Sequence, residues 1–365
     1  MHVPFCRSKC RYCGFVSYPY RRQAAAAYLE AVGREMAGAA AGLRRGCSFA
    51  SVYVGGGTPT SLPPADLVLL LNRIQQLFAM EPGAEVTVEA NPDTVDDAYL
   101  RALRKAGVNR LSLGAQSFDP ALLRLLGRRA GPGAVTAAVR AARAAGFTNL
   151  NLDLIFGLPG QTPAVWRQTI ARALDLAPEH VSAYDLELVE GTPLARAVEE
   201  GRLAPCPEED ALEMYEEAIS TLTRAGYRHY EISNFALAGR ECRHNLLYWE
   251  NDDYLGFGPA AASHWRGTRR GNAGGLEAYV RGEGDACEGD DPAREMTDTV
   301  IMGLRLTAGL DLEAFARRFG VALTSVYPGP LEMVQRQGLA EIAGGRLRLT
   351  KRGLPLANEV FRAFV

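Results

Sequence analysis

The sequence predicts an α/β fold: an open or partial (β/α)6 barrel followed by a smaller C-terminal helical, winged-helix-like domain. Three observations predict it. From Ser51 to about Leu188, short β-branched runs alternate with amphipathic stretches of helical period, the rhythm of a parallel sheet. That alternation stops after Gly191. From Glu295 onward the pattern becomes helices followed by a small hairpin.

Taken in order, the predicted strands are the residues before Cys6, then Ser51–Val54, Glu85–Glu89, Arg110–Gly114, Asn149–Ile155 and His180–Leu186. Helices fit between them at Arg21–Leu43, Pro64–Phe78, Asp96–Ala106, Pro132–Ala145 and Thr162–Leu176, several introduced by a proline or by a capping Asp or Thr. Right-handed crossovers place all the strand C-termini on one face, where barrel enzymes carry their sites. Past the barrel, Cys206–Gly226 reads as one helix, Tyr230–Phe235 and the stretch to Trp265 as irregular structure, and Asn272–Pro292 as a surface linker. Helices Met296–Leu306, Leu312–Phe319 and Thr324–Gln337 and a hairpin at Ala340–Leu349 complete the chain. The expected division is 1–205, 206–290 and 291–365. Met1 falls inside the first predicted strand, so either that strand is short or the protein begins upstream.

With 365 residues, 47% hydrophobic and 22% charged, the chain can bury a large core and carry a small second domain. A net charge of −2 gives no general attraction for nucleic acid, and the basic pairs Arg128-Arg129 and Arg269-Arg270 are short. Nucleic acid is therefore not expected as a partner. No apolar run reaches the roughly 18 to 20 residues of a membrane span, and no basic-then-apolar signal region opens the chain. The reading is cytoplasmic, with peripheral membrane contact left open.

Three of the seven cysteines, Cys6, Cys10 and Cys13, fall within eight residues. In a reducing compartment such a cluster serves metals or redox chemistry rather than disulfides. Three thiolates in this spacing suit three irons of a [4Fe–4S] cube, leaving the fourth iron for a non-protein ligand; they also suit a zinc site completed by a distant Cys or His. Cys47, Cys206, Cys242 and Cys287 are scattered and read as small buried hydrophobes. No Ser/His/Asp triad, Walker loop or zinc-protease motif is present.

The run His2-Val3-Pro4-Phe5-Cys6, with Cys10, Tyr12 and Cys13, resembles the cluster loop of the radical S-adenosylmethionine (SAM) superfamily, and in particular of the oxygen-independent coproporphyrinogen III oxidase family. The likeness continues through Gly55-Gly56-Gly57-Thr58-Pro59-Thr60, Glu89-Ala90-Asn91-Pro92, Gly114-Ala115-Gln116-Ser117-Phe118, Leu126-Gly127-Arg128 and Asp153-Leu154-Ile155-Phe156-Gly157-Leu158-Pro159-Gly160, and so covers nearly the whole chain. Any one of these is weak; six in fixed order are specific. The resemblance implies a partial (β/α)6 radical SAM barrel whose [4Fe–4S] cluster sits on Cys6, Cys10 and Cys13, with SAM on the open iron. It further implies that Gly55, Gly56 and Gly57, followed by Thr58, admit the SAM amino group. Glu89 is then expected at the ribose, Gln116 and Asp153 at strand ends as further ribose and methionine contacts, Arg128 at the SAM carboxylate and Tyr12 against the adenine. A donor such as flavodoxin or ferredoxin would supply the electron that splits SAM to methionine and a 5′-deoxyadenosyl radical.

Within that family, three features resemble the heme chaperone branch rather than the oxidases. Phe15 stands where the oxidases have a fourth cysteine, five residues precede the cluster where they have a longer segment, and His244-Asn245-Leu246-Leu247-Tyr248-Trp249 resembles the chaperone motif. The resemblance implies heme or a porphyrin as ligand, an acceptor protein for it, and SAM cleavage without porphyrinogen oxidase activity. His244 is the candidate axial heme ligand, with Tyr248 and Trp249 as flat apolar surface; alternatively His244 holds its loop against the barrel through buried hydrogen bonds. His264 and Cys242 are further ligand candidates. The sequence departs from the branch at Gly14-Phe15, where Asp-Phe is usual, and at Ala262, where a histidine is usual. An oxidase and a radical SAM methyltransferase on the same scaffold remain the alternatives.

Overall fold

The computed structural model describes residues 1–44, 46–283, 286–289 and 291–365, the side chains of 286–288 excepted. The side chain of Cys287 and parts of the expected linker thus lie outside the described residues. Six parallel strands pair in chain order: His2–Val3, Phe49–Gly56, Met80–Ala90, Arg110–Gln116, Leu150–Phe156 and His180–Asp185. An antiparallel pair, Asn234–Ala236 and Arg228–Glu231, extends the far edge to eight strands. The strand order is linear, so the barrel stays open.

The helices Arg22–Gly42, Pro64–Leu77, Asp97–Lys105, Pro132–Ala144 and Pro163–Asp175 form from the periodic stretches between strands. Proline occupies the first helical turn of three of them, where its missing N–H costs nothing, and the Asp96 and Thr162 side chains accept backbone N–H groups at the ends they cap. Strand alternation sorts the side chains. Val88, Leu111, Leu113, Leu152, Leu154 and Val181 are buried in the apolar core, whereas Tyr53, Glu89, Arg110, Ser112, Asn151, Asp153 and Ser182 lie on the inner, polar side.

The stretch read as irregular contains the two added strands, a helix at Arg243–Trp249 and a strand at Ala262–Trp265. Elements of three, four and seven residues are too short for periodicity to register. Within the expected surface linker, Leu276–Arg281 is a helix whose Leu276 and Tyr279 enter the main core beside barrel residues. Met214, Tyr215 and Phe235 join the same core. A second core, from Val300 to Phe364, holds helices Pro292–Gly303, Leu312–Phe319, Leu323–Val326 and Pro328–Arg336 against a three-stranded sheet of Leu310–Asp311, Arg346–Leu349 and Ala340–Ala343. The single helix expected over Thr324–Gln337 is two, because Pro328 opens a new helix and disfavours helical backbone at Tyr327 before it. A last helix, Ala357–Arg362, was not anticipated.

Candidate functional site

The cysteine loop is pinned at both ends. Phe5–Cys6 pairs with Tyr18–Pro19, Thr58 N–H donates to Phe5 O (2.7 Å), and Arg11 bonds through its backbone to Leu126 O (3.0 Å) and from Leu194 N–H (2.9 Å). Cys6 is therefore the last residue of a short strand, with Cys10 and Cys13 in the turn that follows. Gly127, at φ +71°, lies so close that a Cβ there would stand 2.9 Å from Arg11 Cγ. From the cysteines a line of polar contacts runs inward. Cys6 Sγ meets Thr58 Oγ1 (3.6 Å), Asn91 Nδ2 donates to Thr58 Oγ1 (3.2 Å), and Arg128 Nη1 donates to Asn91 Oδ1 (2.9 Å) and approaches Cys10 Sγ (3.8 Å). Arg128 also donates to Gly114 O. A Cβ on Gly114 would lie 2.9 Å from Gln116 Nε2 and 3.1 Å from Arg128 Nη2, so Gln116, Arg128 and Asn91 meet over that glycine. Gln116 reaches it from a strained backbone at φ +65°, beside a register shift in its strand.

Glu89, at the end of the third strand, accepts from Tyr53 Oη–H (2.7 Å) and Gly56 N–H (3.2 Å). Burial pushes its carboxyl up to about 7, against the pull of the Tyr53 hydrogen bond, with Asp153 adding repulsion. Asp153 is a correction to the expected strand-end position: it lies in the middle of Leu150–Phe156, its oxygens taken by Ser112 Oγ (3.0 Å) and Asn151 Nδ2 (2.8 Å). Tyr12 packs against Leu122, Leu126, Ile155 and Leu158. Two residues that sequence reasoning left without a role, Asn91 and Tyr53, are thus central to the arrangement.

These residues fit a cluster and an adenosyl ligand. A Cβ at Gly57 would lie 2.7 Å from Phe5 O and 3.1 Å from Cys6 Sγ, and one at Gly55 would lie 2.7 Å from the Glu89 carboxyl carbon. Only bare backbone can occupy that edge. His2 crosses Gly56, and its Nε2 is buried without a hydrogen-bond partner. Among the described residues no three His, Cys, Asp or Glu groups stand where a single metal ion could be held. A [4Fe–4S] cube would take one thiolate at each of three separate corners. Burial pushes the Cys6 and Cys13 thiols up, and a bound cation would reverse that preference.

The other predicted residue, His244, lies at the opposite end. Its imidazole bonds Ser51 Oγ through Nδ1 (2.8 Å) and Tyr248 Oη through Nε2 (3.1 Å), and stacks on Tyr53 at 5.2 Å and 20°. Burial lowers it to about 3, so the ring is neutral at any ordinary pH. His244 borders a cavity of about 480 Å³ whose wall includes Phe49, Tyr53, Phe78, Phe257 and Trp265, with Arg318 as its cation. Neither Tyr248 nor Trp249 lines that wall: Tyr248 packs edge-on to His244 and Tyr254, and the Trp249 ring lies under the Arg305 guanidinium at 4.4 Å. Cys242 and His264 are fully buried and committed elsewhere, Cys242 donating to Glu85 (3.4 Å) and His264 meeting Asp252 O and Glu295 (both 3.1 Å).

Residues 1–173 match the radical SAM superfamily, and residues 290–356 match the HemN C-terminal domain. Over the whole chain, the sequence is 38% identical to 98% of the heme chaperone HemW of Bacillus subtilis (strain 168), and 37% identical to 94% of that of Mycobacterium tuberculosis (strain ATCC 25618 / H37Rv). The chain belongs to the HemW family. In architecture, this member of the HemW family is similar to the radical SAM enzyme coproporphyrinogen III oxidase (HemN) from Escherichia coli, with a TM-score of 0.87 at 26% identity over 100% of this chain and 88% of that one. Among the described residues no helix is long and apolar enough to cross a membrane.

Proposed function

We propose that this chain carries a [4Fe–4S] cluster on Cys6, Cys10 and Cys13, binds SAM beside it, and takes up heme at the cavity bordered by His244 for delivery to an acceptor protein. In this reading residues 1–205 hold the cluster and SAM, 206–290 bring the His244 motif, and 291–365 form the end domain. The cluster and SAM supply one-electron reductive cleavage when bound and reduced. The chain's own residues do the rest. Gly55, Gly56 and Gly57, with Thr58, offer backbone to the SAM amino group, Glu89 accepts from the ribose hydroxyls, and Gln116 and Asp153 line the same inner face. Arg128, held beside Cys10 by Asn91 and Gly114, would offer its cation to the SAM carboxylate, and Tyr12 with its leucines would keep water from the adenine.

The heme half is carried by one observation: a buried imidazole, in the motif that resembles the chaperone branch, stands at the wall of an aromatic cavity of about 480 Å³. A neutral ring has the lone pair an axial ligand needs, once it releases Ser51 or Tyr248. Heme titration of wild type and His244→Ala tests it; loss of the imidazole should shift the Soret band or weaken binding about tenfold or more. The same spectrum and affinity in both would leave His244 as a residue that holds the Arg243–Trp249 helix to the barrel. Incubation with SAM, reductant and coproporphyrinogen III should give no vinyl porphyrin at multiple turnovers, and its appearance would restore the oxidase reading.

A further inference from the structure

We propose that Tyr53 is a positioning residue shared by the two sites, its hydroxyl aiming Glu89 at SAM while its ring is held by His244, so that heme uptake and SAM binding are energetically coupled. The inference rests on the reading that Glu89 meets SAM and His244 meets heme. Its basis is the single strand that serves both. Ser51 and Tyr53 alternate onto one face of Phe49–Gly56; Ser51 Oγ holds His244 Nδ1 at 2.8 Å, and the Tyr53 ring lies flat on the same imidazole at 5.2 Å and 20°. Two residues on, the strand becomes the glycine edge, where Glu89 is fixed by the Tyr53 hydroxyl on one oxygen and Gly56 N–H on the other. Tyr248 completes the far side, bonding His244 Nε2 at 3.1 Å and packing edge-on to it at 5.0 Å.

An imidazole that turns to ligate iron must release Ser51 or Tyr248, and the ring stacked on it has to follow or lose the stack. Either movement shifts the donor that orients Glu89. By linkage the effect is reciprocal: SAM drawing on Glu89 must change heme affinity by the same factor. The groups facing Glu89 are Tyr53, Asp153, Tyr184, Tyr248 and the Met1 ammonium. Of these, the Tyr53 hydroxyl is the side chain that hydrogen-bonds it and favours its ionised form. Removing that hydroxyl should therefore leave more of the carboxyl protonated at neutral pH.

The experiment is SAM binding to the anaerobic, cluster-loaded protein between pH 6 and 8.5, with and without saturating heme. Wild type, Tyr53→Phe, Tyr53→Leu and Glu89→Gln are compared. Tyr53→Phe keeps the ring and the stack, so it should weaken SAM about tenfold at pH 7 and move the midpoint of the pH profile upward, while heme affinity stays at the wild-type value. In wild type, heme should change SAM affinity about fivefold or more and SAM should change heme affinity equally; Tyr53→Leu should abolish both effects. Wild-type SAM affinity and pH midpoint in Tyr53→Phe, with Glu89→Gln still weakened, would overturn the role of Tyr53 while sparing that of Glu89. Equal SAM affinity with and without bound heme would overturn the coupling. Absence of heme binding altogether, seen in the titration of wild type alone, would overturn the coupling together with the heme reading, and the pH profile would still decide the Tyr53–Glu89 contact.

Discussion

The two ends of the barrel are built on opposite plans. At the strand C-termini the surface is backbone: glycines 55 to 57, a tight turn between Cys10 and Cys13, and a line of short polar contacts from Cys6 through Thr58 and Asn91 to Arg128. At the other end the surface is rings, with Phe49, Phe78, Phe257 and Trp265 around a cavity and one imidazole at its wall. The first plan fixes a ligand by geometry and tolerates no added atom. The second offers apolar area with polar groups at its margin, the His244 imidazole and the Arg318 cation among them, which suits a large flat ligand that must also leave. Breaking each end separately tests the contrast.

The largest expected effect is at the cluster. Replacing Cys6, Cys10 and Cys13 by Ala should take the anaerobically reconstituted protein from about four irons per chain to almost none, measured by iron and sulfide analysis. Cys47→Ala and Cys206→Ala should keep full loading. Iron retained by the triple variant and lost on replacing Cys47 would place the cluster elsewhere. Next come the glycines that admit close packing. Gly57→Ala puts a Cβ 2.7 Å from the Phe5 carbonyl and should lower iron loading severalfold, with about 1–3 kcal/mol of stability lost. Gly256→Ala, whose Cβ would run into the Ala262 carbonyl oxygen beside the aromatic cavity, should impair heme uptake and leave the iron in place. Loss of iron in both variants would show that the two ends are not separable.

The same contrast governs what the sequence can reveal. The barrel strands are legible because Val, Leu and Ile recur in runs long enough to show their period, and the cluster end is legible because its residues lie in compact motifs at strand ends. Tyr53 and Asn91 carry no such signal. Asn91 acquires its place only when Arg128 arrives from 37 residues away, and Tyr53 only when Glu89 and His244 close on it from two directions. The helix Arg243–Trp249 is equally hidden: with seven residues, none fully buried, it has no apolar face to betray it, and backbone bonds to Glu85 hold its start. Asp153, expected at a strand end, lies inside its strand, which runs on through Ile155 and Phe156 before the chain turns at Gly157.

The smallest expected effect is also the one that separates the two ends by sign. Glu89 and His244 are both buried titratable groups, and burial is the leading cause of both shifts, but one is an acid and the other a base. Glu89 holds its proton in the folded protein up to about 7, while in the unfolded chain it releases it near 4.5. Its contribution to stability is therefore complete below about 4.5 and declines as pH rises toward 7. His244 stays neutral in the folded protein down to about 3, whereas the unfolded chain takes up a proton near 6.5, so its contribution is complete above about 6.5 and declines as pH falls. Urea unfolding of Glu89→Gln should accordingly show a gain over wild type that grows between pH 5 and pH 8, by about 2 kcal/mol. His244→Phe, which keeps a ring against Tyr53 but cannot titrate, should show its relative gain growing in the other direction, from pH 7 down to pH 5. A flat pH profile in either variant would mean that solvent reaches that group, and the end of the barrel that holds it would then be the open one.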